Sequence, residues 1–489
     1  MSIVTLQQLT GLDASFLHME TGRSFGHVSS LSIYRRPADR TFRPFAAFRA
    51  QLERRLPLIE PFRRRLVEVP FGLDRPYWIA DPDFDLDFHV REIALARPGN
   101  AQQLADQVSR IIARPLDRAR PLWEVYVIEG LKGGDFGILT KIHHATIDGA
   151  SGVELLTIML DSDPTGGGPD PGPDDWQPDQ VPSAIELMQR TALNMALNPG
   201  RAARLGMAAA GEMARALRRV DIADTLDQFR RRLPGGRSPE QRDRPPVLPR
   251  VAAPPTPFNR SITPHRRFAM GSVPLDDVKS IKNHLGVTLN DVVMAVCAGA
   301  LRRYLQAHDA LPTDPLVAMV PVSIRSGDER DKWTNRVSGI MARLPTDLQD
   351  PVDRVRAMHD TMVAAKEQFD LLPADLIVDL SQFTAPALAT RAARLAAATR
   401  ISDRMNPPVN VVISNVPGPR QPVYMTGAQM THYYPVSTIT DGLGLNMTVQ
   451  SYVDTLDFGL VSCRELVPDL WDMLDMCIDE VKVLHRACR

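Results

Sequence analysis

A chain of 489 residues is too long for one ordinary hydrophobic core, so its length predicts two or three domains. Apolar residues make up 44% and charged residues 24%, which is typical of a globular protein and excludes a fibrous or wholly disordered chain. The formal net charge of -1 provides no general basic field, which argues against nucleic acid as a partner.

The cysteines and the apolar runs indicate in which cellular compartment the protein is expected. Cys297, Cys463, Cys477 and Cys488 form no C-x-x-C pair, which argues against a disulfide scaffold or a thiolate zinc site. The first residues show no basic start followed by an apolar run, and no run approaches the roughly 20 residues that a membrane-spanning helix needs. We therefore expect a cytoplasmic protein without a signal peptide, whose membrane contact is at most peripheral.

Residues 1–160 alternate between helical and extended patterns. Helical spacing predicts helices at Phe45 to Leu58 and Gln102 to Ala113, and short apolar runs predict strands at Trp123 to Glu129 and Phe136 to His143. This pattern favours a first lobe in which a mixed sheet is flanked by helices.

Residues 161–260 read as a linker. Asp161 to Gln180 is crowded with Asp, Gly and Pro, and Pro245 to Pro257 is a proline-rich spacer. Between them Ser183 to Arg219 is helical, with an interruption at Pro199. Its part from 201 to 219 has five arginines and one acid, which fits a solvated helix face or a basic amphipathic helix on lipid.

Residues 261–489 show a second mixed pattern. A long helix is predicted over Val287 to Leu305, capped by Thr288, and a final helix follows Pro468. The predicted strands are Leu316 to Ile324, Val337 to Leu344, Val409 to Ser414, Leu445 to Val453 and Leu456 to Ser462. We therefore predict an α/β (α+β) protein of two lobes, 1–160 and 261–489, with the site between them.

The segment from Gly137 to Glu154 carries the chemistry. An apolar strand runs up to His143 and His144, and Ser151 with Glu154 forms a capping-box pattern for a following helix. The stretch that contains the histidines, Asp148 and Gly149 is therefore expected on a tight strand-to-helix connection, where Gly149 can adopt a backbone angle forbidden to other residues.

A histidine at such a place suits proton transfer, because its ordinary pKa of roughly 6.5 lies near working pH. It can remove the proton of an attacking alcohol and then protonate a leaving thiolate, so no nucleophilic serine is needed. Two other interpretations exist. In the first, His143 and His144 are structural, with one buried. In the second, His144 and Asp148 bind a metal, although no third ligand and no H-E-x-x-H pattern is evident.

The pattern His143-His144-x-x-x-Asp148-Gly149 resembles the HHxxxDG signature of the coenzyme A-dependent acyltransferase superfamily. Further segments resemble the bacterial wax ester synthase/diacylglycerol acyltransferase family: these are Leu12 to Phe16, Pro121-Leu122-Trp123-Glu124, Asn290-Asp291, Ser414-Asn415 followed by VPGP, and Gly444 to Asn446 with Ser451-Tyr452. The resemblance covers both lobes in order and implies two chloramphenicol-acetyltransferase-like lobes with a tunnel between them.

The resemblance also implies roles. His144 is expected to be the general base, His143 to shape the site, and Asp148 to hold the loop by pairing with an arginine, for which Arg325 is the candidate. Each supporting motif has a plainer interpretation. In that interpretation Trp123 is simply packed after a turn at Pro121-Leu122, Asn290 is a helix cap and not an oxyanion donor, and Asn415 belongs to a rigid turn.

The implied substrates are a long-chain acyl-coenzyme A, which makes a separate cofactor unnecessary, and diacylglycerol or a fatty alcohol. A peripheral membrane or a lipid droplet surface is the expected partner. Two alternatives stay open: an acyltransferase of polyketide or peptide assembly that uses a carrier protein, and a non-catalytic lipid-binding relative.

Overall fold

The computed structural model describes residues 6–147, 155–197, 253–323, 337–370, 394–395 and 397–488. Several predicted features lie outside these residues: Asp148, Gly149, the Ser151 to Glu154 capping box, Arg325 and the arginine-rich stretch from 201 to 219. The pairing of Asp148 with Arg325 therefore stays a prediction.

The first half of the chain forms most of one six-stranded sheet and a smaller sheet of three strands. Its elements are β1 (Gln7–Gln8), α1 (Gly11–His18), β2 (His27–Tyr34), α2 (Pro44–Arg55), β3 (Arg64–Val67), β4 (Tyr77–Ala80), α3 (Leu86–His89), β5 (Val90–Ala94), α4 (Ala101–Ile112), β6 (Trp123–Glu129) and β7 (Phe136–His143). The predicted strands β6 and β7 are confirmed residue for residue, and both predicted helices are confirmed, the first as α2 with a short 3-10 turn at Leu56–Leu58.

The middle and second half provide the remaining elements. These are α5 (Ala184–Leu197), β8 (Arg266–Pro274), α6 (Leu275–Leu285), α7 (Leu289–Ala307), β9 (Leu316–Ser323), β10 (Val337–Leu344), α8 (Pro351–Asp370), β11 (Val411–Val416), β12 (Tyr424–Met425), β13 (Ala428–Val436), β14 (Leu445–Tyr452), β15 (Thr455–Cys463) and α9 (Leu470–Ala487). All five predicted strands of this half are present within one or two residues, as are the long helix α7 and the final helix α9.

The two large sheets have the strand orders β12-β13-β2-β7-β6-β5 and β10-β9-β11-β14-β15-β8. Both mix parallel and antiparallel neighbours: β5 and β6 are parallel in the first, and β11 is parallel to both β9 and β14 in the second. The third sheet has the order β1-β4-β3. The predicted mixed α/β architecture is therefore confirmed.

The two large sheets are not separated along the chain, because β12 and β13 come from the last 70 residues and join the first sheet. β13 pairs with β2 in antiparallel register, with Tyr434 opposite Leu31. Its other side lies against the second sheet, where a Cβ on Gly459 would meet the carbonyl oxygen of Pro435 at 1.7 Å. Glycine at 459 is thus what allows the two backbones to approach.

Hydrophobic packing follows the two faces of the first sheet. One face of β6 and β7 packs on α2 through residues such as Phe48, Val125 and Phe136. The other face packs on α4, and this cluster continues into Phe268 and Val461 of the second sheet. Helix α4 therefore lies between the sheets, next to the place where β7 ends.

Among the described residues no single helix has both the length and the hydropathy required to cross a bilayer. One pair, α6 and α7, reaches these values only when taken together, and it is bent by 104°.

Candidate active site

The two adjacent histidines lie where β7 ends. β7 runs to His143, and residues 144–146 form a turn that is closed by a hydrogen bond from the Thr146 N–H to the His143 carbonyl, 2.9 Å long. The His144 N–H donates to the Gly26 carbonyl at 2.8 Å, and the His143 N–H donates to the Leu122 carbonyl at 2.9 Å. The turn is therefore fixed to the chain on both sides of β7.

His143 faces inward and is almost fully buried, with 1% of its side chain exposed. Its Nδ1 accepts a hydrogen bond of 3.0 Å from the Ala145 N–H, so a proton on the neutral ring resides on Nε2. That Nε2 lies 3.2 Å from a carboxylate oxygen of Glu20. Nδ1 is thus hydrogen-bonded to the turn itself, whereas Nε2 is buried beside Glu20 without a hydrogen bond, and His143 has a role in building the turn.

His144 differs from its neighbour because its side chain is only half-buried. Its ring stacks on Phe16 of α1, with 4.6 Å between the ring centroids and 13° between the planes. This contact restricts the ring to one orientation, since rotation would break the stack. Of the two histidines, His144 is therefore the one that is both oriented and partly open.

Ionisable groups lie beneath the turn on the same face of the sheet. Lys141 is fully buried, donates to the Arg114 carbonyl at 2.7 Å and lies 3.5 Å from Glu124. Burial lowers the pKa of Lys141 to about 8, although the negative charge of Glu124 opposes that shift. Glu124 also accepts a hydrogen bond from Tyr126, 2.8 Å, and pairs with Arg91 at 3.3 Å.

His27 lies opposite His143 in the register between β2 and β7, and its Nε2 lies 3.0 Å from the Ile112 carbonyl at the end of α4. Burial and then the charges of Lys141 and His143 lower the pKa of His27 well below its usual value. A neutral His27 is therefore expected at physiological pH.

The Pro121 to Trp123 segment supports the site from the neighbouring strand. Trp123 is fully buried between the rings of Phe62 and His89, at 4.2 and 4.3 Å, and its Nε1 donates to the Phe62 carbonyl at 2.8 Å. Leu122, also fully buried, supplies the carbonyl that anchors His143, and the Pro121 carbonyl accepts the Trp123 N–H. The plainer interpretation of this motif, packing and support, is the one these contacts favour.

Two of the predicted motifs in the second half of the chain contact each other through neutral polar groups. Asn415 of β11 donates from Nδ2 to Oδ1 of Asn290 over 3.5 Å, which joins the two predicted motifs. Ser414, next to it, is in register with Thr448 of β14. The cap interpretation of Asn290 is wrong, because α7 begins at Leu289 and its cap is Thr288, as the sequence also predicted.

Asp291 has a structural role at the start of α7. Its carboxylate accepts the Thr288 N–H at 2.9 Å, while its own N–H donates to the Thr288 hydroxyl at 3.2 Å, which completes a capping box. The same carboxylate lies 2.7 Å from Nδ1 of His359 on α8. Asp291 therefore ties two helices together and holds the turn on which Asn290 lies.

The sequence interpretation missed Glu20, Gly26, His27 and Lys141. A lysine inside the apolar run of β7 was a visible signal, because a buried lysine needs a partner. Glu20 and Gly26 gave no such signal, since only the long-range contact with β7 gives them a role. Among the described residues no three His, Cys, Asp or Glu side chains are arranged to hold a metal ion.

Comparison with family models places the whole site within matched regions. Residues 9–293 match the wax ester synthase/diacylglycerol acyltransferase catalytic domain, and residues 333–485 match the C-terminal domain of the same family.

Curated relatives match along nearly the full chain. A putative diacylglycerol O-acyltransferase of Mycobacterium tuberculosis is 38% identical over 484 residues, which covers 98% of this chain and 99% of that protein. A probable diacylglycerol O-acyltransferase, tgs2, of the same species is 35% identical over 482 residues, with 97% and 98% covered.

Solved structures agree with this. The wax ester synthase/diacylglycerol acyltransferase from Marinobacter aquaeolei VT8 superposes with a TM-score of 0.68 at 30% identity, covering 99% of both chains. The first condensation domain of the CDA synthetase superposes with a TM-score of 0.53 at 16% identity, covering 99% of this chain and 96% of that one. The second likeness concerns the fold alone.

Proposed function

This chain belongs to the wax ester synthase/diacylglycerol acyltransferase family of acyltransferases, and we propose that it transfers a long-chain acyl group from acyl-coenzyme A to a lipid hydroxyl. The acceptor is diacylglycerol, which gives triacylglycerol, or a fatty alcohol, which gives a wax ester. The names of the mycobacterial relatives favour diacylglycerol.

His144 is the general base of the proposed reaction. It takes the proton of the acceptor hydroxyl while the oxygen attacks the thioester carbonyl. When the carbon–sulfur bond breaks, the same ring protonates the departing thiolate, so the products are the ester and free coenzyme A. The observation that carries this assignment is the difference between the two histidines: His143 is almost fully buried with Nδ1 hydrogen-bonded to the turn, and His144 is half-buried and held against Phe16.

Two motifs support the reaction from other positions. Asn290, held by Asn415, is an amide placed at the start of a helix, where it can stabilise the oxyanion of the tetrahedral intermediate. Asp148 and Gly149 keep their predicted role of holding the turn, with Arg325 as the partner of Asp148. Acyl-coenzyme A is a co-substrate, and the proposed chemistry needs no bound cofactor or metal.

The test is His144→Ala, assayed with palmitoyl-coenzyme A against diacylglycerol and hexadecanol. We expect turnover to fall at least about a hundredfold, the usual share of general-base help. His308→Ala is the matched control, because His308 is a partly exposed histidine at the far end of α7. Unchanged synthesis in the His144 variant would favour the non-catalytic lipid-binding alternative.

The donor is tested separately. The carrier-protein alternative follows from the HHxxxDG pattern, whereas the family models and the full-length relatives favour soluble acyl-coenzyme A. Comparing palmitoyl-coenzyme A with a palmitoyl carrier protein at equal concentration decides between them. Preferential use of the carrier-bound group would overturn the proposed donor.

We also propose that the protein works peripherally on a membrane or lipid inclusion, from the cytoplasmic side, through one surface of the first half. This outer apolar patch comprises Phe71, Leu73, Val181, Ile185, Met188 and Leu193. Phe71 is 85% exposed on a turn with φ of 62°, and Ile185 of α5 is 71% exposed. The opposite face of α5 buries Leu187 against Val69 and Tyr77, so the helix is apolar on both sides.

An apolar helix face that points away from the core favours an interfacial surface, and lipid is the surface on which the proposed substrates occur. The double variant Phe71→Asp/Ile185→Asp should bind vesicles of anionic phospholipid several-fold more weakly in co-sedimentation. Met341→Asp is the control, since Met341 is 58% exposed on an edge strand of the second sheet. Equal binding by both variants would contradict the assignment of this patch.

A further inference from the structure

Glu20 follows the end of α1 and lies against the histidine turn. Its side chain is 11% exposed. One carboxylate oxygen, Oε1, accepts the Gly26 N–H at 2.8 Å and lies 3.2 Å from Nε2 of His143. The carboxylate therefore contacts both the strand start at Gly26 and the first histidine of the turn.

Arg118 occupies the other oxygen of Glu20. The guanidinium donates to Oε2 from two nitrogens, at 2.8 and 3.2 Å, and to the Leu17 carbonyl of α1 at 2.6 Å. Both nitrogens donate to the same oxygen, and these charge-assisted hydrogen bonds hold Oε2 in place. Oε2 is thus held by Arg118, while Oε1 is held toward the turn.

Three contacts indicate that Glu20 positions His144 and does not merely stabilise the fold. Gly26, whose N–H is held by Glu20, supplies the carbonyl that accepts the His144 N–H at 2.8 Å. His143, whose Nε2 faces Glu20, closes the turn through the Ala145 N–H. Phe16, one helical turn before Glu20, stacks on the ring of His144. One carboxylate thus contacts both peptide segments that fix the position of His144.

The carboxylate is ionised at every pH at which the protein is expected to work. Burial raises the pKa of Glu20, but contacts with His143, the Gly26 N–H and Arg118 outweigh burial and lower the pKa to about 2. It is therefore a permanent acceptor for the Gly26 N–H and a permanent negative charge beside His143.

We infer that Glu20 is a positioning residue for the proposed base: with Arg118 behind it, its carboxylate fixes Gly26 and His143 so that the His144 ring keeps its reactive position. The inference rests on the proposed function of His144. A second consequence concerns charge, because a carboxylate near the turn favours the protonated form of His144 that arises as the alcohol loses its proton.

The experiment compares Glu20→Gln with Glu68→Gln. Glu68 also pairs with Arg118, at 3.3 Å, but its side chain is 62% exposed and it has no contact with the turn. Both variants remove one negative charge next to the same arginine, and both leave His27, Lys141, Glu124 and Arg118 unchanged. The readouts are kcat, KM for palmitoyl-coenzyme A, the pH profile of kcat/KM, and thermal unfolding.

For Glu20→Gln we expect kcat to fall about tenfold to a hundredfold, the cost of a slightly misplaced catalytic group, with KM nearly unchanged. The acidic limb of the pH profile should move to lower pH by about a few tenths of a unit, since removing an anion makes the base harder to protonate. Glu68→Gln should have the kcat and the pH profile of the wild-type protein. The effect of Glu20→Gln should also be smaller in a His143→Ala background.

A wild-type kcat and pH profile in a folded Glu20→Gln variant overturns the inference, as does an equal loss in Glu68→Gln. If Glu20→Gln does not fold, Glu20→Asp is tested instead, because it keeps the carboxylate charge but moves it away from the turn by one methylene group. A lowered kcat with an unshifted pH profile then supports the inference, and an unchanged kcat overturns the inference. His144→Ala in the same series separates the two proposals. Activity retained there refutes the base, whereas activity lost there and kept in Glu20→Gln refutes only the role of Glu20.

Discussion

Polar side chains surround a family motif both at the end of β7 and at the start of α7. The two sets of side chains differ in how many ionisable groups they contain. Around the histidine turn the polar partners are ionisable: Glu20, His27, Lys141 and His143 are all buried or nearly so. Around Asn290 the contact between motifs is an amide on an amide, Asn415 to Asn290, and the ionisable pair there, Asp291 with His359, ties two helices together. The ionisable groups of the histidine turn thus suit the proposed proton transfer, and the two amides suit the proposed role of a neutral donor.

The largest effect is expected where the turn is most crowded. In Gly26→Ala the new Cβ would meet Nε2 of His143 at 2.5 Å and the Phe16 carbonyl at 2.9 Å, so the turn must shift. We expect kcat to fall about a hundredfold, as for other displaced catalytic groups. Gly22→Ala is the control, because a Cβ there meets nothing within 4 Å. Steady-state kinetics on both variants measures this. An equal loss of activity in both variants would contradict the special role of the histidine turn.

Substitution of Lys141 tests whether its buried charge lowers the free energy of unfolding. Its pKa of about 8 lies below the usual 10.5, so above pH 8 the unfolded chain binds a proton that the folded chain has lost. Relative to Lys141→Met, the wild type should therefore gain about 3 kcal/mol between pH 8 and 10.5. Urea unfolding at several pH values measures this. Lys132→Met, at an exposed lysine, should show no such trend.

The neutral region should respond more weakly to substitution. Asn290→Ala removes the acceptor for Asn415 and the proposed oxyanion donor. We expect kcat to fall about tenfold, less than the roughly hundredfold to thousandfold loss that is typical of an oxyanion-hole donor, because the 3.5 Å contact with Asn415 holds the amide loosely. Asn283→Ala, at an exposed position of α6, is the control. A loss as large as that of Gly26→Ala would show that the second sheet contributes as much as the first.

The smallest effect concerns the cap of α7. Thr288→Ala removes the hydroxyl that accepts the Asp291 N–H, which should lower the free energy of unfolding by about 1 kcal/mol. Activity should fall less than twofold, since Asp291 keeps its contact with His359. Thermal unfolding and kinetics on the same preparation check both. A large loss of activity would mean that the cap orients Asn290 directly.

The sequence predicted those helices and strands whose hydrophobic pattern or cap lies within a few neighbouring residues. β6 and β7 are largely apolar runs, and α7 has both a capping box and a long apolar face, so their predicted bounds agree with the structure within two residues. β2 and β13 were not predicted. Ser29, Ser30 and Ser32 dilute the pattern of the first, and Pro435 interrupts the second.

The site shows the same division. The motif placed His143 and His144 at a strand end, which the structure confirms, but it gave no means of telling which ring is buried. That distinction depends on Glu20, Gly26 and Phe16, more than 100 residues earlier in the chain. A single sequence contains no local trace of such contacts. The predicted roles of Asp148, Gly149 and Arg325 stay predictions, since these residues lie outside the described structure.

The position of β13 has a consequence for synthesis on the ribosome. Until residue 436 has emerged, β2 has unpaired backbone groups along one side, and the strand that carries the histidines lies directly behind it. Unpaired edges of this kind invite pairing with other chains. The amino-terminal half expressed alone is therefore expected to aggregate, and co-expression with a fragment that contains β13 should recover it in the supernatant.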